Sequence, residues 1–238
     1  MKRLGHLGRG LVLAAAALIG SATTASAAPM LFTLEGETYG DLSASVLFTY
    51  TGLTSTTGRV DVAVTNTSGG FSWEDPRLTS FAFNLPGTVT GVSGFTSSVS
   101  GWGSSFSSDN IDTPGQFGRF DVAALSGSNF NGGSPNQGIA RNDTASFSFG
   151  VGGTGMMGLS ESSFLNLLSY DAPGGANEAE QYFIARFQRV GLFGLGSDVA
   201  TPTGTPTTPP TSSVPEPTTL LLSGLGLLGL TALRRSKA

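Results

Sequence analysis

The chain has 238 residues, 35 of them glycine and none cysteine, and its 12 basic and 16 acidic side chains give a formal charge of −4. Without cysteine there are no disulfides, thiolate metal sites or thiol nucleophiles. The single histidine, His6, sits at the extreme N-terminus, so an imidazole metal site or a Ser-His-Asp triad is closed to the rest of the chain. The charge is unevenly spread: residues 28–199 keep six arginines and fifteen acidic groups, a balance of −9 that repels phosphate backbones, and they have no lysine, which excludes Schiff-base and Ser-Lys chemistry.

Residues 1–27 have the three parts of a secretory signal peptide. Met1-Lys2-Arg3 and Arg9 are basic, 11–19 are apolar, and small residues follow up to Ala28. Ala25-Ser26-Ala27 supplies the Ala-x-Ala site, so signal peptidase is expected to cut after Ala27 once the Sec translocon has engaged the segment; a cut after Ala28 would leave Pro29 first. The apolar run is shorter than the roughly 20 residues a bilayer span requires, which favours a cleaved signal over an anchor.

Residues 28–199 suit one domain. Apolar and polar residues alternate over 42–51 and over 59–65, where Val60, Val62 and Val64 share a face. The same period recurs at Phe81, Phe83 and Leu85, at Phe120, Val122 and Ala124, at Ala145, Phe147, Phe149 and Val151, and over 182–190. Period-two patterning bounded by Gly, Asn, Ser and Pro predicts half-buried antiparallel strands, and six or more of them predict a mainly β fold, an antiparallel β-sandwich. One exception is 160–170: Phe164, Leu165, Leu167 and Leu168 form a helical stripe behind a Ser160 cap, which predicts one short helix. Residues 91–118 and 127–141 are rich in Ser, Gly and Asn and are expected to be long loops.

The chemistry left to such a domain is narrow. Glu35/Glu37, Glu74/Asp75 and Glu178/Glu180 are carboxylate pairs in sequence, but glycoside hydrolysis needs two carboxyls facing one substrate across a cleft, which proximity in sequence does not supply. Asp109-Asn110-Ile111-Asp112, with Asp121 further on, is the best local set of oxygen ligands for calcium. It lacks the twelve-residue hand or a Gly-Gly-x-Gly-x-Asp repeat, so no metal and no cofactor is assigned. Trp102, between Gly101 and Gly103, is the better platform for stacking a sugar, and Trp73, beside Phe71 and Glu74, the second; the competing reading folds Trp102 back over a sheet edge. Asn66-Thr67-Ser68 and Asn142-Asp143-Thr144 fit the N-glycosylation pattern.

Residues 200–213 contain only Thr, Pro, Ser and one each of Ala, Gly, and so are expected to form an extended stalk whose threonines are open to O-glycosylation. Residues 218–233 are a Leu/Gly run about 24 Å long as a helix, at the lower limit for insertion in a bilayer. Pro217 suits its first turn, and Arg234, Arg235 and Lys237 after it stay cytoplasmic, placing Pro217 and the domain outside.

Val214-Pro215-Glu216-Pro217, this apolar helix and the basic Arg234-Arg235 together resemble the PEP-CTERM sorting tail of Gram-negative bacteria, over residues 214–238. The resemblance implies processing by an exosortase, an integral-membrane cysteine protease, and a destination at the cell surface or in exopolysaccharide and biofilm matrix. It implies no enzymatic activity for residues 28–199; the Gly/Asn-rich body around Phe120-Asp121-Val122 and Phe147-Ser148-Phe149 also looks like the bodies of such proteins. The expected function is therefore that of a non-enzymatic exported surface or matrix protein. A carbohydrate-binding module for extracellular polysaccharide is the alternative, and a secreted glycosidase the weakest reading.

Overall fold

The computed structural model of the protein describes residues 28–69, 75–113, 117–131, 133–170 and 180–209. The signal segment up to Ala27, Trp73, Glu74, Glu178 and the sorting tail with its apolar run lie outside the described residues, within which no helix is long and apolar enough to cross a membrane.

Ten strands form the body: β1 (Met30–Gly36), β2 (Ser43–Gly52), β3 (Thr57–Asn66), β4 (Arg77–Phe83), β5 (Val89–Ser97), β6 (Gly103–Asp112), β7 (Arg119–Leu125), β8 (Thr144–Gly153), β9 (Phe183–Val190) and β10 (Gly196–Pro202). The antiparallel β class is as the alternation predicts. The layers, however, are not two separately bonded sheets. One sheet runs β5-β8-β3-β2-β1-β10-β9-β4-β7-β6, antiparallel at every step, and folds over until its edge strands β5 and β6 approach each other without pairing. The result is a flattened, nearly closed barrel.

Phenylalanine fills the space between the two halves. Phe48 of β2 meets Phe83 of β4 at 5.5 Å between centroids, Phe81 meets Phe147 of β8 at 4.9 Å, and Phe83 meets Phe149 at 5.4 Å, mostly edge to face. At the open seam, Phe95 of β5 packs on Phe149 and Trp102 on Phe147, so the core is plugged where the backbone is not closed. Bulges interrupt the pairing of both edge strands, which blunts them as templates for other chains.

The two halves differ in what covers their outer faces. Strands β2, β3 and β8 alternate buried with half-exposed residues, and their outer faces carry paired hydroxyls such as Thr65 with Thr144 at 2.8 Å. Strands β4 and β7 are buried on both faces. There a second apolar cluster, including Phe117, Phe120, Phe130, Ile184 and Val199, lies beneath the loops on the other side of the sheet.

Three expectations change. Residues 91–118, read as a loop, hold β5 and β6, whose small residues face solvent and give no alternating signal. The helix expected over 160–170 is the single turn α1 (Ser162–Leu165): Glu161, not Ser160, precedes it, and from Ser169 the chain pairs with Gln181 and Arg119 as extended backbone, leaving Leu168 exposed. The stalk does not begin at Ala200. β10 runs to Pro202, the Thr203 amide donates to the Thr33 carbonyl at 3.0 Å, and Leu31 and Thr207 exchange hydrogen bonds of 2.7 and 2.9 Å. Each of these threonine donors follows a proline, so the missing proline N–H groups cost the pairing nothing.

Strand alternation places the loops at two poles. The β1–β2, β3–β4, β5–β6, β7–β8 and β9–β10 connections lie at one pole; Ala28, the remaining connections and the exit toward the stalk lie at the other.

Candidate functional site

Buried polar side chains hold the loops in place. Asn66, fully buried at the end of β3, donates through Nδ2 to the Pro76 and Ile139 carbonyls at 2.9 and 3.0 Å and accepts the Ser68 amide at Oδ1. It ties the β3–β4 connection to the β7–β8 connection at the pole away from Ala28, the distal pole, and with both donors used it is closed to the glycosylation that its Asn-Thr-Ser context suggests. Asn142, in the left-handed region at φ 64°, is exposed. At the opposite pole the buried Glu161 accepts the Tyr50 amide at 3.0 Å, and the Tyr50 hydroxyl donates to the Met156 carbonyl at 2.6 Å. Burial pushes the Tyr50 phenol up and the Tyr182 phenol up to about 12.

The predicted oxygen-ligand set does not converge. Asp121 is buried, with Oδ2 accepting the Leu85 amide at 2.8 Å and Oδ1 the Asp109 amide at 2.6 Å, while Asp112 lies 3.7 Å from Arg119. Both Asp121 oxygens face N–H donors, the opposite of what a cation would need there. Among the described residues no three His, Cys, Asp or Glu gather as a metal site.

Of the carboxylate pairs, only Glu35/Glu37 lies wholly within the described residues, and its members do not face one site. Glu35 is exposed on β1, and Glu37 lies beyond the strand, where it accepts the Thr201 hydroxyl. Glu37 does share a hollow of about 350 Å³ with Asp198. The Asp198 oxygens are already committed to the amides of Thr38, Tyr39 and Val199, at 3.0, 2.9 and 2.9 Å.

Trp102 folds back over the sheet edge. Its indole lies 4.8 Å from the Phe147 ring and 6.3 Å from Phe81, and its Nε1–H donates to the Gln137 carbonyl at 2.8 Å. The ring is half-buried and its polar handle is used within the protein.

One grouping at the distal pole was not legible in the sequence. Arg77 and Arg189 share the Asp75 carboxylate at 2.7 and 3.3 Å, Arg189 also reaches the Asn136 side chain, and Arg186 donates to Asn131 Oδ1 and Ser197 Oγ, each at 2.9 Å. Register sets Arg186 opposite Ser80 and Gln188 opposite Arg77, which brings together arginines more than a hundred positions apart. Half-burial lowers the Arg186 pKa.

The geometry therefore defines an antiparallel β domain, with no group of three His, Cys, Asp or Glu side chains among its described residues. Its specific signal lies beyond them: residues 213–236 match the family model of the PEP-CTERM protein-sorting motif, so the chain carries that motif and is marked as an exosortase-targeted surface protein. No curated protein and no solved structure matches the chain.

Proposed function

We propose that this protein is a non-enzymatic component of the cell surface or its surrounding matrix. It is exported by the signal over 1–27, held transiently in the inner membrane by 218–233, and processed near Val214-Pro215-Glu216-Pro217 by an exosortase-like protease. The observation that carries this reading is the sorting motif at 213–236. The basic residues Arg234, Arg235 and Lys237 orient the helix with the body outside. In favour of a non-catalytic body are the absence of cysteine, lysine and histidine from residues 28–199 and the engagement of its buried carboxylates by backbone amides. An acidic, lysine-free surface also suits a protein that stays soluble among anionic material.

The intact mass of the secreted protein tests the reading at both ends. We expect a mature N-terminus at Ala28 and a C-terminus upstream of Leu220. A secreted species that retains residues 220–238 would refute processing. Glu216→Ala, or deletion of 218–238, should leave Sec export intact and change only the C-terminal product.

A further inference from the structure

The two most exposed large apolar side chains among the described residues are neighbours. Phe193 is 78% exposed and Leu195 88%, and both stand on the tight turn between β9 and β10. Phe193 is in the left-handed region at φ 65°, and Arg189, at the foot of the same hairpin, is at φ 58°. A bulky residue in that region costs of order 1 kcal/mol or more, and an apolar side chain in water adds nothing to the fold. The hairpin thus departs from local preference at two positions while holding an aromatic ring in solvent.

Below the turn is a hollow of about 300 Å³, lined by Pro135, Arg186, Gln188, Arg189, Leu195 and Ser197 together with two glycines. Two guanidinium groups line it and no carboxylate does, in a body whose balance is −9. Asn131 and Ser197 fix the Arg186 plane, and its buried Nε–H has no hydrogen-bond partner. Asp75 and Asn136 hold Arg189 at the rim.

We propose that this hollow and the Phe193 hairpin above it bind a carboxylated sugar unit of an acidic polysaccharide. Paired guanidinium donors recognise a carboxylate, the Gln188 amide meets ring hydroxyls, and an exposed aromatic ring covers the C–H face of a pyranose. The volume is at the lower end of ligand sites and suits one such unit rather than a large cofactor. Asp41, Asp75 and Asp143 at the same pole oppose the phosphate arrays of nucleic acid and anionic lipid, and the hollow has room for a single carboxylated ring between its guanidinium groups and the Phe193 hairpin. The proposal deepens the matrix reading given above.

The test is titration calorimetry of the secreted protein with an oligogalacturonate, with its methyl ester, which has the same rings without the charge, and with oligoglutamate. We expect the oligogalacturonate to bind, the ester to bind at least tenfold more weakly, and affinity for the acid to fall as salt rises from 50 to 300 mM. Phe193→Ala should weaken binding about tenfold with an unchanged melting temperature, because the side chain is 78% exposed, and Arg189→Gln should weaken it by a similar factor. Equal binding of acid and ester, no binding of the acid, or full affinity in Phe193→Ala would overturn the proposal, as would oligoglutamate binding as tightly as the sugar. Each of these outcomes with normal C-terminal processing would leave the sorting assignment standing.

Discussion

Asp121 separates a structural from a metal-binding account of the acidic loops. Its carboxylate receives the Leu85 amide from the β4–β5 connection and the Asp109 amide from the bulge in β6, so one buried side chain on β7 pins two segments. A hydrogen bond to a charged group contributes about 1.5–3 kcal/mol net. Asp121→Asn keeps one acceptor and turns the other position into an NH₂ that faces an N–H, so one bond is lost outright and the other weakened, for a cost of about 3 kcal/mol. In a domain of this size that lowers the melting temperature by roughly 6–12 °C. Urea titration followed by tryptophan fluorescence, with calorimetry in calcium and in EDTA, measures it. The wild-type curves should coincide in the two buffers. Stabilisation of the wild type by calcium that Asp121→Asn abolishes would refute the reasoning, as would a variant within about 0.5 kcal/mol of wild type.

A Cβ added at Gly58 would lie 2.8 and 2.9 Å from Cε2 and Cζ of Tyr50, whose ring is held by its bond to Met156, so Gly58→Ala should cost about 3 kcal/mol; adding Tyr50→Ala should cost less than the sum of the two single changes in denaturant titrations. Trp102→Ala removes a half-buried ring and should cost about 2 kcal/mol in the same titration, without altering the glycan affinity assigned to the Phe193 hairpin. Tyr50 and Tyr182 titrate higher in the folded than in the unfolded chain, so their contribution is complete below pH 10 and is lost as pH rises from 10 toward 12. Tyr182→Phe should make that alkaline decline in melting temperature shallower. Deleting residues 208–212 should reduce C-terminal processing while leaving export intact, as immunoblots of cell fractions would show.

The half of the barrel that faces solvent was legible and the covered half only partly so. β2, β3 and β8 show strict alternation because one face meets phenylalanine and the other water. In β4 and β7 the second face is buried beneath loops, and Ala82 and Ala123 occupy it without an obvious apolar signal. β5 and β6 escaped notice because an edge strand rich in Ser and Gly reads as a loop. In β1, by contrast, Phe32 and Leu34 alternate with Thr33 and Glu35, a signal available in the sequence. The two readings of Trp102 differed only in whether the ring found partners, and Phe81 and Phe147, far away in sequence, decide that. The same holds for Arg77, Arg186 and Arg189: strand register assembles them, and composition records only that the body has six arginines.

The late start of the stalk changes how the body sits during processing. Fourteen free residues from Ala200 would reach about 50 Å when fully extended, whereas the seven between Thr207 and Pro215 reach at most about 25 Å. While the sorting segment anchors the chain at the membrane, the pole that carries Ala28 and Thr207 is therefore held within one short tether of the bilayer. Strand alternation sends β9 away from that pole and β10 back toward it, so the β9–β10 turn with Phe193 and Leu195 is at the opposite pole. The loops tied by Asn66 and the arginines around Asp75 are at that pole as well. A tethered body exposes most freely the pole opposite its attachment. There the protein carries its strained, solvent-facing aromatic ring and four of the six arginines of residues 28–199, and at the near pole its buried carboxylate Glu161 accepts the Tyr50 amide.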